Sequence, residues 1–194
     1  MNLQLTPNLY LATGNNRDVY KHPVNDLVCI KIQKEDGGLH NYLEAKFLEK
    51  HQHKIFPDYY GVISTNLGDG LAIGLVKDFD GQISKSLTFY IEHKIVSEED
   101  AKKYINFIGA ECIKNNFILA DDGLQNILLK KEADGSINPI LIDGFGPKNN
   151  SFRSLLREFI PLLTRYKTRK HIQVMYKKLN ATLQKLKAEP TVFS

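Results

Sequence analysis

The chain has 194 residues, 42% of them hydrophobic and 25% charged, with a formal net charge of +4. That length fits one domain or two small lobes, and the composition excludes disorder, collagen and coiled coil. No apolar run reaches the ~18 residues of a membrane helix, and the start Met1-Asn2-Leu3-Gln4-Leu5 has neither a basic n-region nor a small-residue cleavage site, which points to the cytoplasm.

The first third reads as strands and turns. Residues 9–13 form a short strand candidate running into the turn cluster Gly14-Asn15-Asn16, and residues 18–22 its return before Pro23. Residues 27–32, Leu-Val-Cys-Ile-Lys-Ile, are β-branched and apolar between Asn25-Asp26 and Asp36-Gly37-Gly38, the firmest strand signal in the chain. Over residues 39–51 the pattern turns helical: Tyr42, Leu43, Phe47 and Leu48 share a face, with Glu44 and Lys46 beside them. Residues 59–64 and 71–77 read as a hairpin around Asn66-Leu67-Gly68-Asp69-Gly70. Asp78-Phe79-Asp80-Gly81 marks a break, which divides the chain into an expected 1–80 lobe of strands with one helix and an 81–194 helical lobe. Ser97-Glu98-Glu99-Asp100 has the residue types of a helix start, and Tyr104, Ile105, Ile108, Cys112 and Ile113 continue its apolar stripe. Residues 126–130 and 139–142 are short apolar runs around Asp134-Gly135-Ser136, a small hairpin. A last helical region spans about 152–187, interrupted near Pro161. The order gives an α+β protein in two small lobes.

Charge and cysteine divide the functional readings. Residues 151–194 hold ten Lys/Arg against Glu158 and Glu189, a surplus of +8, while the first 150 residues carry −4. Such an end suits an anionic surface or the solvated face of a helix. Few aromatics interleave these cations beyond Tyr166 and Tyr176, which argues against nucleic-acid stacking. Cys29 and Cys112 lie in apolar settings with no metal spacing and read as buried thiols.

Three places could carry chemistry. Lys31 ends an apolar strand, and Glu44 lies on the following helix where it could pair with it; two surface charges are the plain alternative. Asp121-Asp122-Gly123-Leu124-Gln125-Asn126 puts an aspartate and an asparagine five apart at the mouth of a hairpin. Ile140-Leu141-Ile142-Asp143-Gly144-Phe145-Gly146 ends a buried-type strand on a carboxylate, which is costly there unless it meets a cation. Together, a loop amide and a strand-end carboxylate make a hard oxygen site suited to Mg²⁺ with phosphate, although Asx-turn chemistry explains either element alone.

In this order the pieces resemble the parts of protein-kinase-like phosphotransferases. The chain is similar to the YrbL family of small bacterial kinase-like proteins, the PhoP regulatory network proteins. The resemblance rests on Gly14-Asn15-Asn16-Arg17-Asp18-Val19-Tyr20-Lys21-His22-Pro23, Cys29-Ile30-Lys31-Ile32, Pro57-Asp58-Tyr59-Tyr60-Gly61, Asp78-Phe79-Asp80-Gly81 and Gln125-Asn126-Ile127-Leu128, within about residues 9–146. It implies a two-lobed fold, with a small antiparallel sheet and one helix in the first lobe and a shortened helical second lobe. It also implies roles. Lys31 would hold the α/β-phosphates of ATP and Glu44 would orient it. Gly14 and its neighbours would cover the phosphates, with Arg17 assisting. Asp78 and Phe79 would place their backbone against adenine. Asn126 and Asp143 would bind Mg²⁺, and Asp121 would be the catalytic base; its spacing to Asn126 favours it by analogy only, and Asp122 stays the alternative.

The departures are specific. Gly14 is not followed by the further glycines of a Gly-rich loop. Leu119-Ala120-Asp121 replaces His-Arg-Asp, Gly123 takes the loop-lysine position, and a glycine is inserted in Asp143-Gly144-Phe145-Gly146. Three readings follow: an ATP- and Mg²⁺-dependent phosphotransferase to a hydroxyl, a kinase-fold pseudoenzyme that binds nucleotide or a partner, and an anion- or nucleic-acid-binding protein acting through its basic end. Lys34, just past the Lys31 strand, is expected to be dispensable for nucleotide binding.

Overall fold

The structure is a computed structural model that describes residues 2–35, 38–147 and 160–188. Five strands form the first sheet: β1 (Tyr10–Thr13), β2 (Arg17–Lys21), β3 (Val28–Gln33), β4 (Tyr59–Thr65) and β5 (Gly68–Gly74). They are antiparallel in the order β1-β2-β3-β5-β4. The central strand β3 is covered on both faces, and even Lys31, which interrupts its apolar residues, is buried. Ile30 and Ile32 turn to a small cluster with Leu5, whereas Cys29 joins the main core on the opposite face. Helix α1 (His40–Lys50) packs on that second face. Its N-cap residue, Leu39, makes no side-chain cap; the Gln33 amide oxygen accepts the Asn41 N–H at 2.9 Å instead, and Asn41 Nδ2 donates to Lys31 O at 2.8 Å. These bonds fix the start of α1 against β3, and so the height of Glu44 relative to Lys31.

After residues 75–84, the strand β6 (Lys85–Ser86) leads straight into helix α2 (Leu87–Glu92), capped by Ser86, whose side chain accepts from Phe89 N. The sequence reading lacked both elements, since two strand residues and six helical ones are too short for periodicity to register. Helix α3 (Glu98–Lys114) starts where the acidic cluster places it: Ser97 accepts from Asp100 N, and Glu98, Glu99 and Asp100 fill the first turn. The hairpin β7 (Ile127–Lys131) and β8 (Ile137–Leu141) pairs with β6 in a second, three-stranded sheet. The last helix, α4 (Pro161–Ala188), begins on its proline, where a missing N–H costs nothing, and buries Ile172, Met175 and Leu179. Residues 152–159 of the expected final helical region lie outside the described residues. Among the described residues, no helix is long and apolar enough to cross a membrane.

An aromatic cluster joins the two halves. Phe47 of α1 meets Phe56, Phe117 and Phe145 at ring-centroid distances of 5.4, 5.9 and 5.4 Å, and Phe56 lies 4.5 Å from Phe145. These four rings put α1, the residues before Asp121 and the residues after Asp143 into one packed unit.

Candidate active site

The β3 lysine is buried. Lys31 is 5% exposed, and its Nζ bonds Glu44 Oε1 at 2.7 Å and Ile142 O at 2.7 Å. The second oxygen of Glu44 bonds the guanidinium of Arg17, the first residue of β2, itself 5% exposed. The other end of that guanidinium reaches Asp143 Oδ2 at 2.6 Å. Four charged groups thus alternate in sign: Lys31, Glu44, Arg17 and Asp143. Asp143 keeps 47% of its side-chain surface open, and its Oδ1 accepts the Gly144 N–H at 2.7 Å. Burial would raise its carboxyl, but the Lys31 and Arg17 charges, the Arg17 bond and the Gly144 N–H outweigh this and hold it below the ordinary carboxylate value. For Arg17 burial works the opposite way, and the two carboxylates overcome it to raise the guanidinium.

Gly144 is the point where the loop and the strand end meet. Its carbonyl accepts the N–H groups of Ala120 at 2.7 Å and Asp121 at 3.0 Å. It sits at φ +77°, and a Cβ there would lie 2.4 Å from Asp121 Cβ and 3.2 Å from Asn126 Nδ2. Only glycine admits this approach, so Asp121, Asn126 and Asp143 converge on one residue. Gly146, at φ +75°, lies where a Cβ would come 3.1 Å from the Phe47 ring, and it donates to Ile118 O, while Leu119 and Phe145 form an antiparallel bridge. Asp143 and Asn126 carry oxygen atoms of the kind that hard cations take; among the described residues no cluster of three or more His, Cys, Asp or Glu could hold a metal by itself. Two protein ligands fit Mg²⁺ that keeps waters and shares phosphate oxygens, and do not fit an all-protein metal cage.

The adjacent carboxylate serves elsewhere. Asp122 bonds α4 with both oxygens, to Lys178 Nζ at 2.5 Å and His171 Nδ1 at 3.2 Å. Its burial acts to raise the carboxyl, but these two partners prevail and lower it. Asp121 Oδ1 accepts the Gly123 N–H at 2.8 Å.

The β1–β2 turn is tied to β3. Gly14 N–H donates to Arg17 O at 2.8 Å, and Lys34 N–H donates to Asn16 O at 2.9 Å. Lys34 Nζ bonds Thr13 Oγ1 and Gly14 O, each at 2.7 Å, so this lysine ties down the turn. Sequence reasoning missed that clamp, the Asp122 anchor and the bridging place of Arg17. Each depends on strand pairing or on partners far apart in the chain, for which no local signal exists.

Asp78 and Phe79 are not gathered with this set. Asp78 N–H donates to Gln82 O within the connector of residues 75–84 and Phe79 N–H to Lys131 O at the end of β7, which commits both amides, and Phe79 is 64% exposed. Both line a cavity of about 800 Å³ between the connector, the loop after α1 and the β7–β8 hairpin, which contains neither Lys31 nor Asn126 nor Asp143. Lys77 forms an antiparallel bridge with Ile83, flanked by the bonds Ser84 N–Val76 O and Asp78 N–Gln82 O. That register turns the Lys77 N–H and C=O away from Ile83.

The architecture has the protein-kinase fold. It superposes on the crystal structure of Rad53 1-466 in complex with AMP-PNP with a TM-score of 0.56 at 13% identity, over 93% of this chain; the chain spans 56% of that one. Two curated relatives, each described as uncharacterized protein YrbL, come from Escherichia coli (strain K12) and Shigella flexneri. Each is 27% identical over 154 residues, covering 74% of this chain and 73% of the relative. The profile of the PhoP regulatory network protein YrbL family matches residues 3–180, and the chain belongs to that family.

Proposed function

We propose that the protein is an ATP- and Mg²⁺-dependent phosphotransferase that moves the γ-phosphate to a hydroxyl acceptor. The observation that carries this reading is the Lys31–Glu44–Arg17–Asp143 chain of ion pairs, which meets the Asp121–Asn126 loop at Gly144. Phosphoryl transfer depends on positioning and charge neutralisation more than on covalent chemistry, so a short set of fixed groups suffices. In this reading Lys31, held by Glu44, binds the α/β-phosphates, and the Gly14 turn with its Lys34 clamp covers them. Asn126 and Asp143 would hold Mg²⁺, which when bound neutralises charge on the phosphate oxygens. Asp121 accepts the proton of the acceptor hydroxyl; the commitment of both Asp122 oxygens to α4 supports choosing Asp121. Adenine meets the connector at the Lys77 backbone, one residue earlier than Asp78, because the Asp78 and Phe79 amides are already bonded. That a solved neighbour of this fold holds AMP-PNP agrees with a nucleotide ligand. The acceptor side includes the basic face of α4, where Arg165, Arg169 and Lys170 stand exposed beside Leu162, Leu163 and Tyr166, a mixture suited to an anionic surface.

A second reading, nucleotide binding without turnover, is favoured by Gly123 in place of the loop cation and by Arg17 on Asp143. Turnover of γ-labelled ATP with Mg²⁺ separates the two. The wild-type chain is expected to transfer or release label, and Asp143→Ala and Asp121→Asn to abolish it while the fold persists. Nucleotide binding with no label transfer to water, to the chain or to any acceptor would sink the phosphotransferase reading.

A further inference from the structure

Arg17 stands where a divalent cation would act. Both oxygens of Asp143 are engaged, Oδ2 by the Arg17 guanidinium at 2.6 Å and Oδ1 by the Gly144 N–H at 2.7 Å. Two cations and two carboxylates give the chain of ion pairs zero net charge. A Mg²⁺ ligated by Asp143 needs an oxygen at ~2.0–2.1 Å, and a guanidinium on the same carboxylate both occupies a lone pair and repels the ion. Arg17 also directly follows the Gly14-Asn15-Asn16 turn, and its carbonyl accepts the Gly14 N–H, so the residue that holds Asp143 belongs to the turn expected to cover phosphates.

We infer that Arg17 is a phosphate-released latch on Asp143. Without nucleotide, the guanidinium holds Asp143 Oδ2, and its charge opposes the entry of free divalent cations. When a metal–nucleotide complex enters, a phosphate oxygen takes the guanidinium and the metal takes the freed Asp143 oxygen, so each charged bond lost is replaced by another. A planar guanidinium suits this exchange because its fork matches carboxylate and phosphate alike. The site therefore selects the metal–nucleotide complex over either part alone. This inference rests on the phosphotransferase reading for its trigger, but its first half, exclusion of free metal, needs no nucleotide.

The test uses the full chain and Mn²⁺ alone, followed by electron paramagnetic resonance of the free ion, and separately Mg²⁺ with AMP-PNP by calorimetry. Arg17→Gln is expected to bind Mn²⁺ without nucleotide at least tenfold more tightly than wild type, and Mg²⁺·AMP-PNP at least tenfold more weakly. Arg17→Lys keeps the charge without the fork; it serves if Arg17→Gln does not fold, with a rise in Mn²⁺ affinity of at least threefold. Adding Asp143→Asn to either variant should erase the gain. Equal Mn²⁺ affinity in wild type and variants overturns the latch. A gain in Mn²⁺ affinity with unchanged Mg²⁺·AMP-PNP affinity overturns the hand-over to phosphate. Failure of wild type to bind Mg²⁺·AMP-PNP counts against the phosphotransferase reading instead, and the Mn²⁺ comparison still decides whether Arg17 guards Asp143.

Discussion

Glu44→Ala removes the carboxylate that Lys31 and Arg17 share. All three side chains are 6% exposed, so solvent screens the loss little. Breaking a buried pair by deleting one partner costs roughly 3–5 kcal/mol, because the surviving charge stays desolvated. Here each cation keeps one other acceptor, Lys31 the Ile142 carbonyl and Arg17 the Asp143 carboxylate, which places the expected loss near the low end, about 3 kcal/mol. For a chain of this length that lowers Tm by about 6–12 °C. Urea unfolding followed by circular dichroism, with a calorimetric Tm, measures both. Glu49→Ala, exposed on the same helix, should change stability by less than about 0.5 kcal/mol. Replacing both partners, Glu44→Leu with Lys31→Met, should recover at least half of the loss, since no lysine is then left buried without its carboxylate. If Glu44→Ala unfolds within 2 °C of wild type, or the double replacement is as unstable as the two single changes added together, the buried-pair argument is wrong.

Gly144→Ala should destabilise the fold by about 1–3 kcal/mol through backbone strain at φ +77° and push Asp121 away; a stable Gly144→Ala chain with unchanged nucleotide-dependent turnover would refute the Gly144 junction. The lowered Asp122 carboxyl contributes stability that is present above its unfolded value of ~3.9 and is lost as pH falls through the lower folded value, so the stability gap between wild type and Asp122→Asn should be wide at pH 5 and close below about pH 4; a gap constant down to pH 2.5 excludes this linkage. Burial pushes the Cys29 thiol up to about 11 and Cys112 up to about 12, so a thiol reagent at pH 8 should titrate neither in the folded chain and both in urea. Binding to anionic phospholipid vesicles should fall steeply from 0.01 M to 0.15 M salt as the Debye length shrinks from ~30 to ~8 Å, and Arg169→Glu with Lys170→Glu should weaken it without changing AMP-PNP affinity; a flat salt response refutes the anionic-surface reading.

Much of the architecture was legible because its signals are local. The apolar run around Lys31, the helical offsets of Leu43, Phe47 and Leu48, and the Ser97 cap each depend on neighbours within a few residues, and the observed β3, α1 and α3 follow them closely. The parts of the candidate site were legible in the same way, as residue types at fixed spacings. What those residues touch was not. Arg17 reads as an accessory in the chain's order, yet pairing of β2 with β3 and packing of α1 turn it into the bridge between Glu44 and Asp143, 27 and 126 residues away. Spacing to Asn126 separates Asp121 from Asp122 only by resemblance; the docking of α4, which brings His171 and Lys178 to Asp122, gives the two neighbouring carboxylates different partners. The Asp78-Phe79 pair reads as the place for adenine from its order in the chain, whereas the bonds of its two amides to Gln82 and Lys131, and the antiparallel bridge of Lys77 with Ile83, are set by pairing between segments. Local sequence determined the longer elements and the chemical groups they carry, but not the short β6 and α2. Tertiary structure decided which charges are buried together, because burial and strand pairing are properties of segments that sequence order keeps apart.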